Sequence, residues 1–248
     1  MSDSESDNEL QLSAHALAAL QEFKSEEQKR EEEFQRLLNK ADEDFERKKR
    51  EEGMRLFKED WQLSQFWYDE ATADLLADAL LDGADEDTVI AIVSAPSVYA
   101  AILRKPESEI PTKHIYLFEY DKRFALLAGE DHFYYYDFAH PLDIDEKLLG
   151  KINRLLIDPP FLNEHCQTNF SITAKALLAP NNGEKTLKGV EKHRIITSTG
   201  ERMRDIVAKI YPGTKMTTFY PGHANGLSNE FRCYANFEWS KWTFSTEP

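Results

Sequence analysis

Short, almost wholly apolar runs recur between residues 88 and 237, and the stretches between them are amphipathic. β-branched and aromatic runs of this length predict strands, and the amphipathic stretches predict helices. Residues 88–93, 114–119, 133–136, 152–157 and 194–197 are the first five predicted strands. Helices are predicted over 69–81 (ended by Gly83), 97–103 (opened by Pro96), 122–127, 163–178 and 201–210. Two late strands, 215–220 and 231–237, have no helix between them and are joined through Gly222, Gly226 and Asn229, so they should pair as a hairpin. Strands alternating with helices imply an α/β fold with a mostly parallel sheet and right-handed crossovers. In such sheets, ligands bind outside the carboxyl ends of the strands.

The first sixty residues follow a different pattern. Residues 1–11 are acidic and serine-rich, and disorder is expected. Residues 12–20 predict a helix capped by Ser13, with Leu17, Leu20 and Phe23 on one face. Residues 24–58 are charge-dense, with sparse apolar positions such as Phe34, Leu37, Phe45 and Phe57. They read as a long solvated helix, either a spacer or a partner-docking arm. Four large aromatics within Trp61-Gln62-Leu63-Ser64-Gln65-Phe66-Trp67-Tyr68 then mark a change of composition. The expected organisation is a charged helical extension over 1–60 and one domain over 61–248. Residues 179–192 read as a polar surface loop.

Charge narrows the partners. The formal net charge is −15; residues 1–60 carry 18 acids and 11 bases, a net of −7, which leaves −8 for the rest. Nucleic-acid affinity draws on Lys and Arg contacts to phosphate, so this balance argues against DNA or RNA and suits a basic partner. Apolar runs are far shorter than a membrane span, and the polar, acidic start is not a signal or transit peptide, so no membrane association and a cytoplasmic location are expected. Cys166 and Cys233 are the only cysteines and the seven histidines lack metal-ligand spacing, so no metal is expected.

Chemistry concentrates at the predicted strand ends. The first strand ends at Ser94-Ala95-Pro96, without a glycine-rich dinucleotide fingerprint. The second ends at Glu119-Tyr120-Asp121, where a carboxylate can accept two ribose hydroxyls. The third ends at Asp137-Phe138, an acid for an exocyclic amine beside an aromatic for a ring. Three successive acidic strand ends without a basic phosphate cradle imply a nucleoside without phosphates, and S-adenosylmethionine fits that description. The fourth strand ends at Asp158-Pro159-Pro160-Phe161. The two prolines stop the strand, and proline fixes the direction of the Pro159 carbonyl. Asp158 and that carbonyl can both accept from one amine, while Phe161 stacks on a flat base or packs on an aliphatic stem. His165-Cys166, Tyr134-Tyr135-Tyr136 and Thr197-Ser198-Thr199 read as structural, the last as turn or helix-cap residues.

Several stretches in order then carry a resemblance. They are residues 12–23 (from Leu12-Ser13-Ala14-His15), 61–68, Val93-Ser94-Ala95-Pro96-Ser97-Val98-Tyr99, Phe118-Glu119-Tyr120-Asp121-Lys122-Arg123-Phe124, Asp158-Pro159-Pro160-Phe161 and Asn229-Glu230-Phe231-Arg232-Cys233-Tyr234. Together they resemble the lysine methyltransferases of translation elongation factor 1-alpha, once described as N6-adenine-methyltransferase-like because of the Pro-Pro motif. The resemblance implies a seven-stranded class I fold, S-adenosylmethionine as methyl donor and elongation factor 1-alpha as protein substrate. It implies Asp158, Pro159 and Phe161 as catalytic residues, and Ser94, Ala95, Pro96, Glu119, Asp121, Asp137, Phe138, Gln65 and Trp67 as the cofactor site. A nucleic-acid adenine N6-methyltransferase, with a flipped base on Phe161, is the alternative. A non-catalytic binding module that uses the N-terminal helix is a third.

Overall fold

The apolar runs become the strands of one seven-stranded sheet. These are β1 (Ile90–Val93), β2 (Ile115–Glu119), β3 (Phe133–Tyr135), β4 (Arg154–Ile157), β5 (Arg194–Gly200), β6 (Lys215–Met216) and β7 (Phe231–Ala235), in the order β3-β2-β1-β4-β5-β7-β6. Strands β1 to β5 run parallel, and β7 inserts antiparallel between β5 and β6. All residues of β1 and β4 are buried, the pattern of strands covered on both faces. This is the α/β, class I methyltransferase-type sheet that the resemblance implies, closed by the expected antiparallel pair.

A computed structural model describes residues 21, 23–30, 32, 53–60, 65–226 and 230–246. The chain divides into two compact units, Met1–Glu46 and Arg47–Pro248. In the first unit, residues 21, 23–30 and 32 are helical. The helix expected over 12–20, residues 33–52, Trp61 to Ser64 and Asn229 lie outside the described residues. In the second unit, residues 53–60 belong with the sheet domain because Phe57 is buried against Phe124, ring centroids 4.4 Å apart.

Five helices cover the sheet: α1 (Glu70–Leu81), α2 (Pro96–Arg104), α3 (Ala125–Ala128), α4 (Glu164–Leu177) and α5 (Arg204–Ile210). Their starts follow local chemistry. Asp69 caps α1 by accepting from the Thr72 N–H at 2.7 Å, and Asn163 caps α4 by accepting from the Cys166 N–H at 2.9 Å. Pro96 opens α2, where its missing N–H costs nothing. Helices α1 and α2 pack together, as do α4 and α5, and Phe170, Leu177 and Val207 seat α4 and α5 in the main core.

Two elements differ from expectation. β5 runs on to Gly200, so Thr197, Ser198 and Thr199 are buried strand residues rather than turn or cap residues. The cause is tertiary: Ile196 to Gly200 pair with Ala235 to Phe231 of β7. β6 stops at Met216: the Thr217 N–H still donates to the Cys233 carbonyl of β7 at 2.8 Å, but Thr217 also bridges to Phe244, and the Thr218 N–H donates to the Thr243 carbonyl at 2.9 Å. The segment that follows is a long crossing and not a tight hairpin turn. Between β3 and β4 lies a single 3₁₀ turn, Glu146–Leu148.

Candidate active site

The strand order reverses between β1 and β4, and a crevice opens at the carboxyl ends of two strands that diverge in this way. Register decides what stands there. Val93 lies opposite both Phe118 of β2 and Ile157 of β4, and Glu119 lies opposite Tyr135 of β3. The next residues are therefore level: the Asp158 N–H donates to the Val93 carbonyl at 3.0 Å, the Ser94 N–H to Phe118 at 2.8 Å, and the Tyr136 N–H to Glu119 at 3.0 Å. Residues more than sixty positions apart in sequence meet along one edge.

A cavity of about 290 Å³ occupies that edge. Of the residues named from sequence, Ser94, Ala95, Pro96, Glu119, Asp137, Phe138, Asp158, Pro159, Phe161, Gln65 and Trp67 line it. Asp121 does not line the cavity. Its carboxylate accepts from Arg123 and, at 3.0 Å, from the Gln65 amide, so it holds Gln65 at the wall. Burial pushes the Asp121 carboxyl up, but the bonds from Arg123 and Gln65 outweigh that and leave it below the ordinary carboxylate range.

Two of the cavity acids, Glu119 and Asp158, behave differently from Asp121. Glu119 is 6% exposed, and burial, with Asp121 and Asp158 nearby, pushes its carboxyl up to about 8 against the N–H bonds it accepts. Those bonds, from Tyr120 at 2.9 Å and Asp121 at 3.2 Å, both reach Oε1, and no described residue donates to Oε2. Asp158 faces the cavity but is hemmed in by protein, and this desolvation pushes its carboxyl up to about 7 although Tyr68 pulls it down. Asp137 Oδ1 accepts from the Ala139 N–H at 2.8 Å, and Phe138 packs on Phe161 with centroids 5.6 Å apart.

The first loop carries backbone strain. Ser94 has φ 58°, and it is the one non-glycine residue with positive φ among the described residues. A left-handed serine persists only where its surroundings over-determine it, and such positions gather at ligand sites. The bonded Ser94 N–H and the start of α2 at Pro96 supply that constraint.

Sequence reasoning named Gln65 and Trp67 but missed the rest of the wall they belong to. Residues 65–69 and 222–224 cross the top of the site and hold each other. Asp69 N–H donates to the Gly222 carbonyl at 3.0 Å, Ala224 N–H to Trp67 at 2.9 Å, and Tyr68 bridges to His223. Glu59 clamps both sides, accepting from the Trp67 N–H at 2.8 Å and from Asn225 Nδ2 at 2.6 Å. This crossing brings Phe66 and His223 to the cavity, where Phe231 at the start of β7, Tyr136 and Phe170 join them. His223 stacks near Tyr68 (5.1 Å) and Phe231 (4.7 Å), and burial lowers its pKa below the usual histidine value. No local pattern marks these residues, because pairing between segments about 150 residues apart assembles them.

Acceptors for ribose and an exocyclic amine, an aromatic flank and a strained first loop suit a nucleoside-bearing methyl donor. Known proteins agree on the class. The family described as "Probable N6-adenine methyltransferase" matches residues 59–239. "Protein-lysine N-methyltransferase EFM5" of Saccharomyces cerevisiae is 68% identical over 95% of this chain and 95% of its own. "EEF1A lysine methyltransferase 1" of Homo sapiens is 38% identical over 96% of this chain and 97% of its own. The chain belongs to this family of protein-lysine N-methyltransferases. Among solved structures, the branched-chain polyamine synthase C9 mutein of Thermus thermophilus, in complex with N4-aminopropylspermidine and 5′-methylthioadenosine, shares the fold. Its TM-score is 0.50 at 10% identity, over 72% of this chain and 58% of that one.

In this methyltransferase the crossing depends on a glycine. A Cβ on Gly222 would lie 2.2 Å from Asp69 Oδ2, the carboxylate that caps α1. Gly222→Ala should destabilise the protein by about 1–3 kcal/mol through loss of the cap and overpacking. A fall in the urea midpoint at unchanged slope would register it, and an unchanged midpoint would refute it.

Proposed function

We propose that this enzyme transfers methyl groups from S-adenosylmethionine to the side-chain nitrogen of a lysine in translation elongation factor 1-alpha. The observation that carries the reading is Asp158-Pro159-Pro160-Phe161 on the cavity wall at the switch point, one strand away from Ser94 and two from Glu119. Family membership and the names of the yeast and human relatives support the protein acceptor. The net charge of −15 supports a basic protein over a polyanion.

S-adenosylmethionine supplies an electrophilic methyl group on a sulfonium. Glu119 would accept ribose hydroxyls through Oε2, and Asp137 and Phe138 would hold and flank the adenine. The Ser94-Ala95-Pro96 turn lets main chain approach the ligand closely. Asp158 and the Pro159 carbonyl would both accept from the lysine amine, orienting its lone pair, and Phe161 would pack on the aliphatic stem. Neutralising a lysine of pKa ~10.4 at pH 7 costs roughly 4–5 kcal/mol. The aromatic cavity helps by desolvating the ammonium. Asp158, with its carboxyl at about 7, is able to take up the released proton near neutrality.

Labelled S-adenosylmethionine offered with purified elongation factor 1-alpha, duplex DNA and RNA in parallel tests this reading. Label should appear on the protein alone and survive nuclease. Label on nucleic acid and none on protein would favour adenine N6 methylation and sink the lysine reading.

A further inference from the structure

Two hydroxyls beside Asp158 have no structural partner. Tyr68 is 4% exposed and Ser198 is 1% exposed, and both hydroxyls are buried outside ordinary hydrogen-bond geometry to any described residue. Buried polar groups are almost always paired, so two orphans at one place call for a reason. Neither side chain is free to turn elsewhere. Tyr68 is pinned by its bridge to His223 and the ring contact there, and Ser198 stands inside β5 opposite Cys233 of β7. Register sets Ser198 level with Asp158, because Ile157 lies opposite Thr197; burial and then Asp158 raise the Tyr68 hydroxyl, Ser198 lowers it, and Tyr68 lowers the Asp158 carboxyl.

We propose that Tyr68 and Ser198 are positioning residues, whose hydroxyls form a chain from Ser198 through Tyr68 to Asp158 and aim that carboxylate at the acceptor amine. This rests on Asp158 being the group that orients the amine. The polarity of the chain follows from what each group can do. Burial, and then the Asp158 charge, keep Tyr68 protonated at every working pH, so it meets the carboxylate only as a donor. A donor favours the ionised carboxylate, the form that accepts from an amine. With one Asp158 lone pair engaged by Tyr68, those that face the cavity remain for the substrate.

The other groups around Asp158 cannot take this part. Cys166 of α4 and Cys233 of β7 are thiols pushed up by burial to about 11 and about 12, so they stay neutral. Glu119 at the end of β2 is an acid and opposes ionisation of Asp158. His223 lines the same cavity but is held neutral by burial. Tyr68 is the side chain of the set that lowers the Asp158 carboxyl.

The test uses the full chain with Tyr68→Phe, Ser198→Ala and Asp158→Asn. Melting temperature, cofactor Kd by calorimetry and the pH profile of kcat on purified elongation factor 1-alpha are measured for each. Tyr68→Phe removes a hydroxyl engaged by no described residue outside the proposed chain, so its melting temperature should stay close to wild type while cofactor Kd is unchanged. Its kcat at pH 7 should fall about tenfold, and the acid limb should move up by about one pH unit. Ser198→Ala should move the limb the same way by less. Wild-type kcat and an unmoved limb in Tyr68→Phe, with Asp158→Asn inactive, would overturn the chain and leave the role of Asp158 standing. A fully active Asp158→Asn would remove that role itself. A Tyr68→Phe protein unable to fold would also overturn the proposal, since the hydroxyl would then be structural.

Discussion

Asp158→Asn is expected to lower kcat for lysine methylation by roughly 10²–10³-fold and to leave cofactor Kd within about threefold of wild type. The substitution keeps the shape of the side chain and the Asp158 N–H bond to Val93, so the end of β4 stays in place. It removes the negative charge and turns one acceptor oxygen into a donor, which then confronts the amine donors of the substrate. What is lost is orientation at the reacting nitrogen, worth several powers of ten when a reactive geometry must be held. Cofactor binding survives because Glu119, Asp137 and the Ser94 turn lie on other strands. Single-turnover methyl transfer beside calorimetric titration separates the two quantities. A variant that lost cofactor affinity but kept its turnover rate would place Asp158 on the donor side of the site.

The second large effect is a pH dependence. In the unliganded protein Glu119 holds its proton up to about pH 8, chiefly because it is buried. A carboxylate that accepts ribose hydroxyls is favoured in its ionised form, so ligand binding lowers this pKa and expels a proton below pH 8. Cofactor affinity should therefore rise with pH, by about tenfold per unit from pH 6 to 8, and level off above. Glu119→Gln should abolish the slope. At pH 8 it should weaken binding by roughly 10–100-fold, the worth of one or two charge-assisted bonds. At pH 6 it should differ little from wild type. The same carboxyl links pH to folding. Its folded pKa is raised above the ordinary 4.5, so its contribution to stability is complete below that value and is lost as pH rises through about 8. Thermal melts without cofactor should decline across that window, and Glu119→Gln should flatten the decline. Calorimetry in buffers of different ionisation enthalpy would count the expelled proton; a count of zero at pH 7 would refute the argument.

Much of the sheet was legible because buried parallel strands leave continuous apolar runs such as Ile90–Val93 and Leu155-Leu156-Ile157. Strand ends were legible for a local reason as well: two prolines after Asp158 and one at position 96 can only stand where a ladder stops or a helix starts. The acids read at those ends do line one cavity, save Asp121, whose fate depended on Arg123 and Gln65 folding onto it. The run Thr197-Ser198-Thr199 misled for the opposite reason. Hydroxyl residues read locally as turn or cap, and only pairing with β7 makes them strand. Nothing near His223 or Phe231 announces a site, because their place depends on a crossing held by Tyr68, Asp69 and Gly222.

The sequence by itself determined the strand–helix alternation, the places where strands end and the residue types available there. Those are local properties: apolar period, proline geometry and side-chain chemistry. The structure alone decided that Asp158, Ser94 and Glu119 stand level, that burial pushes the Asp158 and Glu119 carboxyls up to about 7 and about 8, and that the Tyr68 and Ser198 hydroxyls are buried. Register, burial and long-range pairing set these, and each depends on what distant segments bring near, which no local stretch of chain records.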